Sequence, residues 1–543
     1  MRKAWFAAVM GLLLARCLWG QETPAESRVV SVGMFKNGLA LVKRTVTVPA
    51  EGTYQVSDVP EPVHGAFWIE SDALVETRVT TMEIETPVGG RDAVDLQEEL
   101  AGKQVLIHFR DGTIPPASGK VLDAVPATGE GAWDRRYEQD RGYYGWRGNA
   151  PAAQPRFLVL DTPKGRTYVD ASMIAYAQVE DAAATVKRRR PVLLFTVKEL
   201  REKPATIAIT YLTKGIAWAP SYRVDISDPT TLRLQQMAVI KNELQDINDA
   251  ELYLISGFPS MQFSHVTSPL SLRTTWANFF QQLATRPRAA EGAGYVTTQQ
   301  RVVMNVADPG AGIDMSAIPA GEGPDVHYQS IGKRILTAGD SLALDVASGE
   351  APYERIVEWI VPDTRDADGR YIRESERRQD PDKYDDAPWD AVRFKNPLPF
   401  PMTTAVAATV AQGRFLGQQM SYWTNTGEQA SVRVTKALSI RTRHVENEEP
   451  GERKVLYIAG DDYQKVTVKG EISVSNHRNE SVKLVIRRQF SGSLLEADGE
   501  PECVLREEGV WSVNERNELT WTLTLEPGEA KTLTYQYTVL VNI

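Results

Sequence analysis

The groups of this 543-residue chain that could do chemistry are few and scattered. Its six histidines, His64, His108, His265, His327, His444 and His477, include no His-x-x-x-His pair and no His-Glu-x-x-His zinc motif. His477 lies in "SNHRNE", which reads as a solvated turn. No Gly-x-Ser-x-Gly elbow and no Walker loop is present. Cys503 has no histidine partner in sequence and reads as a small buried residue rather than a nucleophile. The densest charge run is Val361 to Asp390. There Asp366, Asp368 and Gly369 resemble part of a calcium loop, because calcium takes several carboxylate oxygens around a tight turn. In that register Thr364 would be the first ligand and Ser375 the twelfth, so the stretch is expected to be a solvated, salt-bridged loop without metal. Paired carboxylates could also serve a glycosidase, but nothing in the spacing selects two of them. The expectation is no catalytic residue, no metal and no cofactor.

The best binding candidate is the segment Gly131 to Pro155, "GAWDRRYEQDRGYYGWRGNAPAAQP". Trp133, Tyr137, Tyr143, Tyr144 and Trp146 are interleaved with Arg135, Arg136, Arg141 and Arg147. Aromatic and arginine side chains together suit protein hot spots and sugar stacking. The segment has no periodicity and reads as a long loop.

The elements that must position such residues are strands. In "NELTWTLTLEPGEAKTLTYQYTVLV" Leu519, Trp521, Leu523 and Leu525 alternate with threonines, and Leu533, Tyr535, Tyr537, Val539 and Val541 repeat the pattern after the Pro527-Gly528 turn. Each run buries one face and wets the other, as strands of a two-sheet sandwich do. "LTAGDSLALDV", Leu336 to Val346, echoes this apolar-turn-apolar order. Asn37-Gly38 marks a hairpin. "GKQVLIHFRDG" and the four short runs after it have the pacing of a small Sm-like or SH3-like barrel. "TWANFFQQLA" predicts a helix over Thr275 to Ala284, and "KRRRP", Lys187 to Pro191, reads as a linker. Pro220, between Trp218 and Tyr222, is expected to end one strand and permit the next, with both aromatics filling a core.

From about Pro204 onward the chain resembles a bacterial family catalogued as domain of unknown function 4139, some members of which are called mucoidy inhibitor A. The resemblance rests on "YLTKGIAWAPSYRVDI", "AVIKNELQDINDAELYLISGFP", the Asn-Pro segment and sheet beginning "FKNPLPFP", and the closing strands. It implies a β-rich exported protein. It supplies no activity and no catalytic residues.

The first twenty residues read as a secretory signal: Arg2 and Lys3, then an apolar run from Ala4 to Ala15 too short to cross a membrane, then a polar switch at Gln21. "LLARC" resembles a lipobox, but Arg16 stands where a small residue is wanted before Cys17. Removing the leader takes Arg2, Lys3 and Arg16 with it and moves the formal charge from −10 to −13. Such an acidic chain is not expected to bind nucleic acid, and with Cys503 alone it has no disulfide. No later run is long enough for a transmembrane helix. The expected architecture is all-β: signal 1–20, an N-terminal β domain 21–97, the small barrel 98–182 with its loop 131–155, an immunoglobulin-like β-sandwich 183–420 with an irregular, partly helical insertion 269–326, and a C-terminal sandwich 421–543. The function expected is that of a non-enzymatic structural or interaction protein, periplasmic or extracellular, partnered by an envelope protein or glycan. The alternative is a polysaccharide binder or glycoside hydrolase with an interdomain site.

Overall fold

The computed structural model describes residues 22–87, 96–122, 157–179, 185–201, 203–257, 263–272, 274–284, 326–381, 384–450, 455–458, 460–507 and 512–543. Strands dominate and helices are short, so the all-β, multi-sheet class holds. The chain divides into two compact units. One takes in Met1–Arg28, Lys43–Thr213 and Gln262–Ala293, and the other takes in Val29–Val42, Lys214–Met261 and Gly294–Ile543.

In the first unit, Gln104–Phe109, Ala117–Val121, Phe157–Thr162, Gly165–Asp170 and Ile174–Val179 form one antiparallel sheet in the order fourth, third, second, first, fifth. The five short strands are those the pacing predicted. The two end strands do not pair with each other, so the sheet is open and not a closed barrel. Val105, Ile107, Val121, Leu158 and Leu160 supply its core. Ala117–Val121 and Phe157–Thr162 are joined by the pairs Lys120↔Asp161 and Val121↔Leu160, and Leu122 N donates to Val159 O (3.1 Å). Gln97 braces this junction: its amide donates to Leu122 O (2.5 Å) and its carbonyl accepts from Val159 N (2.7 Å).

Two sequence readings are corrected. Lys187 to Pro191 is no linker but part of the strand Thr185–Lys198. The register sets Lys187 opposite Glu85 and Arg189 opposite Glu83 on Leu74–Pro87. Pro220 does not divide two strands. Ile216–Asp225 runs through it as one strand of the second unit. Its antiparallel neighbour pairs along the whole length, but the parallel neighbour Ala405–Ala411 pairs only from Ser221 onward, so one side of Pro220 faces no ladder and its missing N–H is tolerated. The helix prediction holds: Trp276–Ala284 follows Thr275, whose hydroxyl accepts from Asn278 N, and Phe279 packs edge-on against His64 at 4.7 Å.

The second unit is organised by Ser341–Val361, a 21-residue strand. Its first half pairs with Thr231–Asn242, and its second half with Trp389–Lys395 and Val482–Ser491. The strand therefore serves two cores. One gathers Tyr222, Leu234, Phe394, Met402 and Val432. The other gathers Trp359, Ile472, Ile486, Trp521 and Tyr535, closed by a sheet of Ile440–Glu448, Asp461–Asn476, Ala530–Asn542 and Ser493–Ala497. Trp218 and Tyr222 are buried as expected, with Trp218 Nε1 donating to Ile255 O (3.1 Å) and Tyr222 OH to Thr403 O (3.0 Å).

One device recurs three times in this unit. Asn242, Asn396 and Asn476 are buried at or just beyond strand ends. Each side-chain carbonyl accepts from the N–H two residues on, at Leu244, Leu398 and Arg478. Each amide donates to distant carbonyls, Leu336, Thr424 and Leu525 among them. Each main chain then bonds a turn twice: the N–H donates to Asp340, Glu428 or Glu529, and the C=O accepts from Gly339, Gly427 or Gly528. Those glycines have φ of 95°, 75° and 76° in open space, so conformation and not room selects them. The echo between "LTAGD" and "LEPGE" is thus a repeated structure, and "NTGE" is its third copy.

Candidate functional site

Alternation along Val482–Ser491 turns Val482, Leu484, Ile486, Arg488 and Phe490 inward. Four are apolar; the fourth in order is an arginine, 1% exposed. Its guanidinium donates from Nη2 to Glu446 Oε1 (2.7 Å), from Nε to Tyr535 OH (2.9 Å), and from Nη1 to the carbonyls of Pro362 (2.8 Å) and Gln489 (2.7 Å). Glu446 comes from Ile440–Glu448 and also accepts from Tyr535 OH (2.5 Å) and from the Thr364 hydroxyl. His444 Nε2 lies 2.7 Å from Tyr535 OH, and the two rings stack. Burial by itself would raise the Glu446 carboxyl. The Arg488 charge, the nearby His444 ring (Nε2 3.7 Å from Oε1) and the hydrogen bond from Thr364 outweigh it and hold the group well below the usual carboxylate range. Burial likewise works against the Arg488 charge, but Tyr535, Glu446 and Asp363 more than offset it and raise its pKa further. Burial pushes the Tyr535 phenol well up.

The room for this cluster comes from a glycine. On Asp461–Asn476 the inward row reads Val466, Val468, Gly470, Ile472, Val474, and Gly470 stands opposite Tyr535. A Cβ at Gly470 would overlap Cζ and Cε1 of the tyrosine ring. The missing side chain is the space that the aromatic ring fills.

The acidic loop read as an imperfect calcium site closes the same cluster. Asp366 Oδ1 accepts from Asp368 N (3.0 Å) and Arg370 N (2.8 Å), so its carboxylate organises its own turn. Asn514 ties Ala367 O to Leu540 O. Arg365 reaches inward to Glu448 (2.7 Å) and stacks over Tyr371. Among the described residues no group of three or more His, Cys, Asp or Glu side chains converges as a metal site would require. Chemically, the assembly is a buried tie between two sheets and the loop above them. Its acid, base and phenol are shielded and face one another.

A second perturbed ionisable group is Lys36, half-buried in the Asn37-Gly38 hairpin. Nζ donates to Thr403 Oγ1 (2.7 Å) and Thr404 O (3.0 Å). No carboxylate pairs with it among the described residues, and burial pushes its pKa down to about 8. A lysine whose folded value is lowered holds fewer protons folded than unfolded between about 8 and its ordinary 10.5. Stability should therefore climb as pH rises through that window, by on the order of 3 kcal/mol. Melting curves from pH 7.5 to 10 should show this climb in the wild type relative to Lys36→Met. Parallel curves for the two proteins would remove the claim.

Of the residues singled out by sequence, Trp133, Tyr137, Tyr143, Tyr144 and Trp146 lie outside the described residues. The described residues on either side of that segment are Leu122 and Phe157. His477 is exposed in its turn, 3.1 Å from Ser475 Oγ. Cys503 is exposed and not buried. It sits at an outward position of the edge strand Glu502–Glu507, and partial burial with the Glu515 charge pushes its thiol up, away from the thiolate a nucleophile needs. The sequence reading missed Arg488, Glu446, Tyr535 and Lys36. The signal for the first was present: a charged residue in phase with four apolar ones on a strand.

Fold and cluster together define a multi-sheet β protein whose most perturbed ionisable groups are interior. A family model described as Domain of unknown function (DUF4139) matches residues 207–542, and the chain belongs to that family. No curated protein matches it.

Proposed function

We propose that this chain is a non-enzymatic structural or interaction protein of the bacterial cell envelope, exported by its first twenty residues and working in the periplasm or outside the cell. The observation that carries the reading is the closure of the Arg488–Glu446–Tyr535 cluster. Where an enzyme turns its perturbed acids and bases toward a cleft, this chain turns them on each other. The charged start and apolar run ahead of Gln21 support export. The aromatic and arginine segment 131–155, inserted where Gln97 pins the sheet, supplies the contact residues.

Cross-linking in the native bacterium followed by purification should recover the protein from the envelope fraction with a discrete protein or glycan. Replacing 131–155 by a short Gly-Ser linker should leave melting nearly unchanged, because closure entropy varies slowly with loop length, while reducing recovery of the partner. Cytosolic recovery with Met1 intact would defeat the compartment. Turnover of an envelope polysaccharide by the purified protein would defeat the non-enzymatic reading. Undiminished recovery by the linker variant would move the contact elsewhere.

A further inference from the structure

The outer face of the C-terminal sheet carries a feature that the core cluster does not use. Along Ile440–Glu448, Arg441 and Arg443 share the face opposite to Ile440. The register sets Arg441 beside Ser475, and Arg443 beside Ser473, which in turn lies beside Thr532 on Ala530–Asn542. With neighbouring strands about 4.8 Å apart, this makes two adjacent rows, each headed by a guanidinium: Arg443–Ser473–Thr532, with two hydroxyls, and Arg441–Ser475–Ala530, with one. Ser473 Oγ and Thr532 Oγ1 are 3.2 Å apart. A shallow cleft of about 240 Å³ is lined by these residues and Lys531. Among the described residues one carboxylate touches the rows: Glu471 Oε1 accepts from Ser473 Oγ at 3.4 Å.

Charge makes the place unusual. The chain has ten more acidic than basic residues, yet among the described residues Arg441, Arg443 and Lys531 form no ion pair. Charged side chains on an edge strand also deter edge-to-edge pairing, but that role is served by either sign and needs no hydroxyl rows. Guanidinium forks match planar carboxylates two bonds at a time, and serine and threonine hydroxyls can donate to or accept from sugar hydroxyls. The cleft is open and runs across strands. It suits a stretch of extended polymer better than an enclosed small molecule.

We infer that this face binds an acidic polysaccharide, with Arg441 and Arg443 taking carboxylates of successive acidic units and the Ser473–Thr532 row taking hydroxyls. The inference concerns binding in isolation and stands whether or not the proposed compartment is correct. The test is calorimetry of the full chain with oligogalacturonate, with its methyl-esterified form as an uncharged control. The acid should bind and the ester should not. Arg441→Gln with Arg443→Gln should weaken binding roughly tenfold or more, whereas Arg414→Gln with Lys120→Gln, equal in charge change and distant in sequence, should not. Melting temperatures of both double variants should match the wild type, since all four side chains are exposed. Equal weakening in the two variants would reduce the effect to net charge and overturn the site. Absence of binding would overturn it too. Binding only to inorganic phosphate or to phosphatidylglycerol vesicles would replace the glycan with a phosphate ligand or a lipid surface.

Discussion

Arg488→Met should lose about 3–5 kcal/mol of unfolding free energy, the range seen when one member of a buried ion pair is removed. The loss is not mainly that of a contact. It arises because Glu446 is left charged in a core with its chief counter-charge gone, still buried beneath Thr364 and Tyr535. Two consequences separate this from a packing defect. First, Arg488→Met combined with Glu446→Leu should regain most of the loss, because apolar replacement of a whole pair is often neutral. Second, the pH response should reverse. In the wild type the depressed Glu446 contributes stability that is present above its unfolded value, 4.5, and lost as pH falls through the folded one. Without Arg488, burial dominates and raises the carboxyl, so the variant should gain relative to wild type as the solution is acidified. Urea titrations at pH 4 and 7 measure both. A double variant no better than the single one would assign the loss to volume alone.

Gly470→Val should be nearly as damaging, on the order of 3 kcal/mol from overpacking and from dislodging Tyr535 out of its hydrogen bonds. Gly470 has no positive φ, so backbone strain plays no part; the ring is the obstacle. Tyr535→Leu made on top of Gly470→Val should therefore add much less than it does in the wild type. The coupling in a double-mutant cycle should exceed about 1 kcal/mol. Additive losses would mean that glycine and ring do not meet.

These two residues show what could be read from the sequence and what could not. Period-two alternation delivered the strands and the inward rows, and "TWANFFQQLA" delivered the helix, because those signals are local. The same alternation places Arg488 among apolar neighbours, and it places Arg44, also 1% exposed and paired with Asp58 at 2.8 Å, in phase with Val42, Val46 and Val48. An inward arginine announces a buried network but not its partner. Glu446 and Tyr535 lie 42 and 47 residues from Arg488, and only the packing of two sheets joins them. Lys187 to Pro191 misled for a similar reason: whether a basic run joins a ladder depends on the strand opposite it, which is invisible in the run itself. Cys503 misled because small apolar residues also fill exposed edge strands.

The three asparagine clasps set where this domain can grow. Each fixes a strand end to a glycine turn with the same bonds, yet the chain between the two halves differs widely, running from Asn242 to Gly339, from Asn396 to Gly427, and from Asn476 to Gly528. Once both ends are held, the length between them is nearly free, since closure entropy rises only with its logarithm. A clasp can therefore take in new segments without changing the bonds that hold its ends. The first clasp has taken in the most, the helix Trp276–Ala284 included, and it marks the interval in which relatives of this chain should differ most in length.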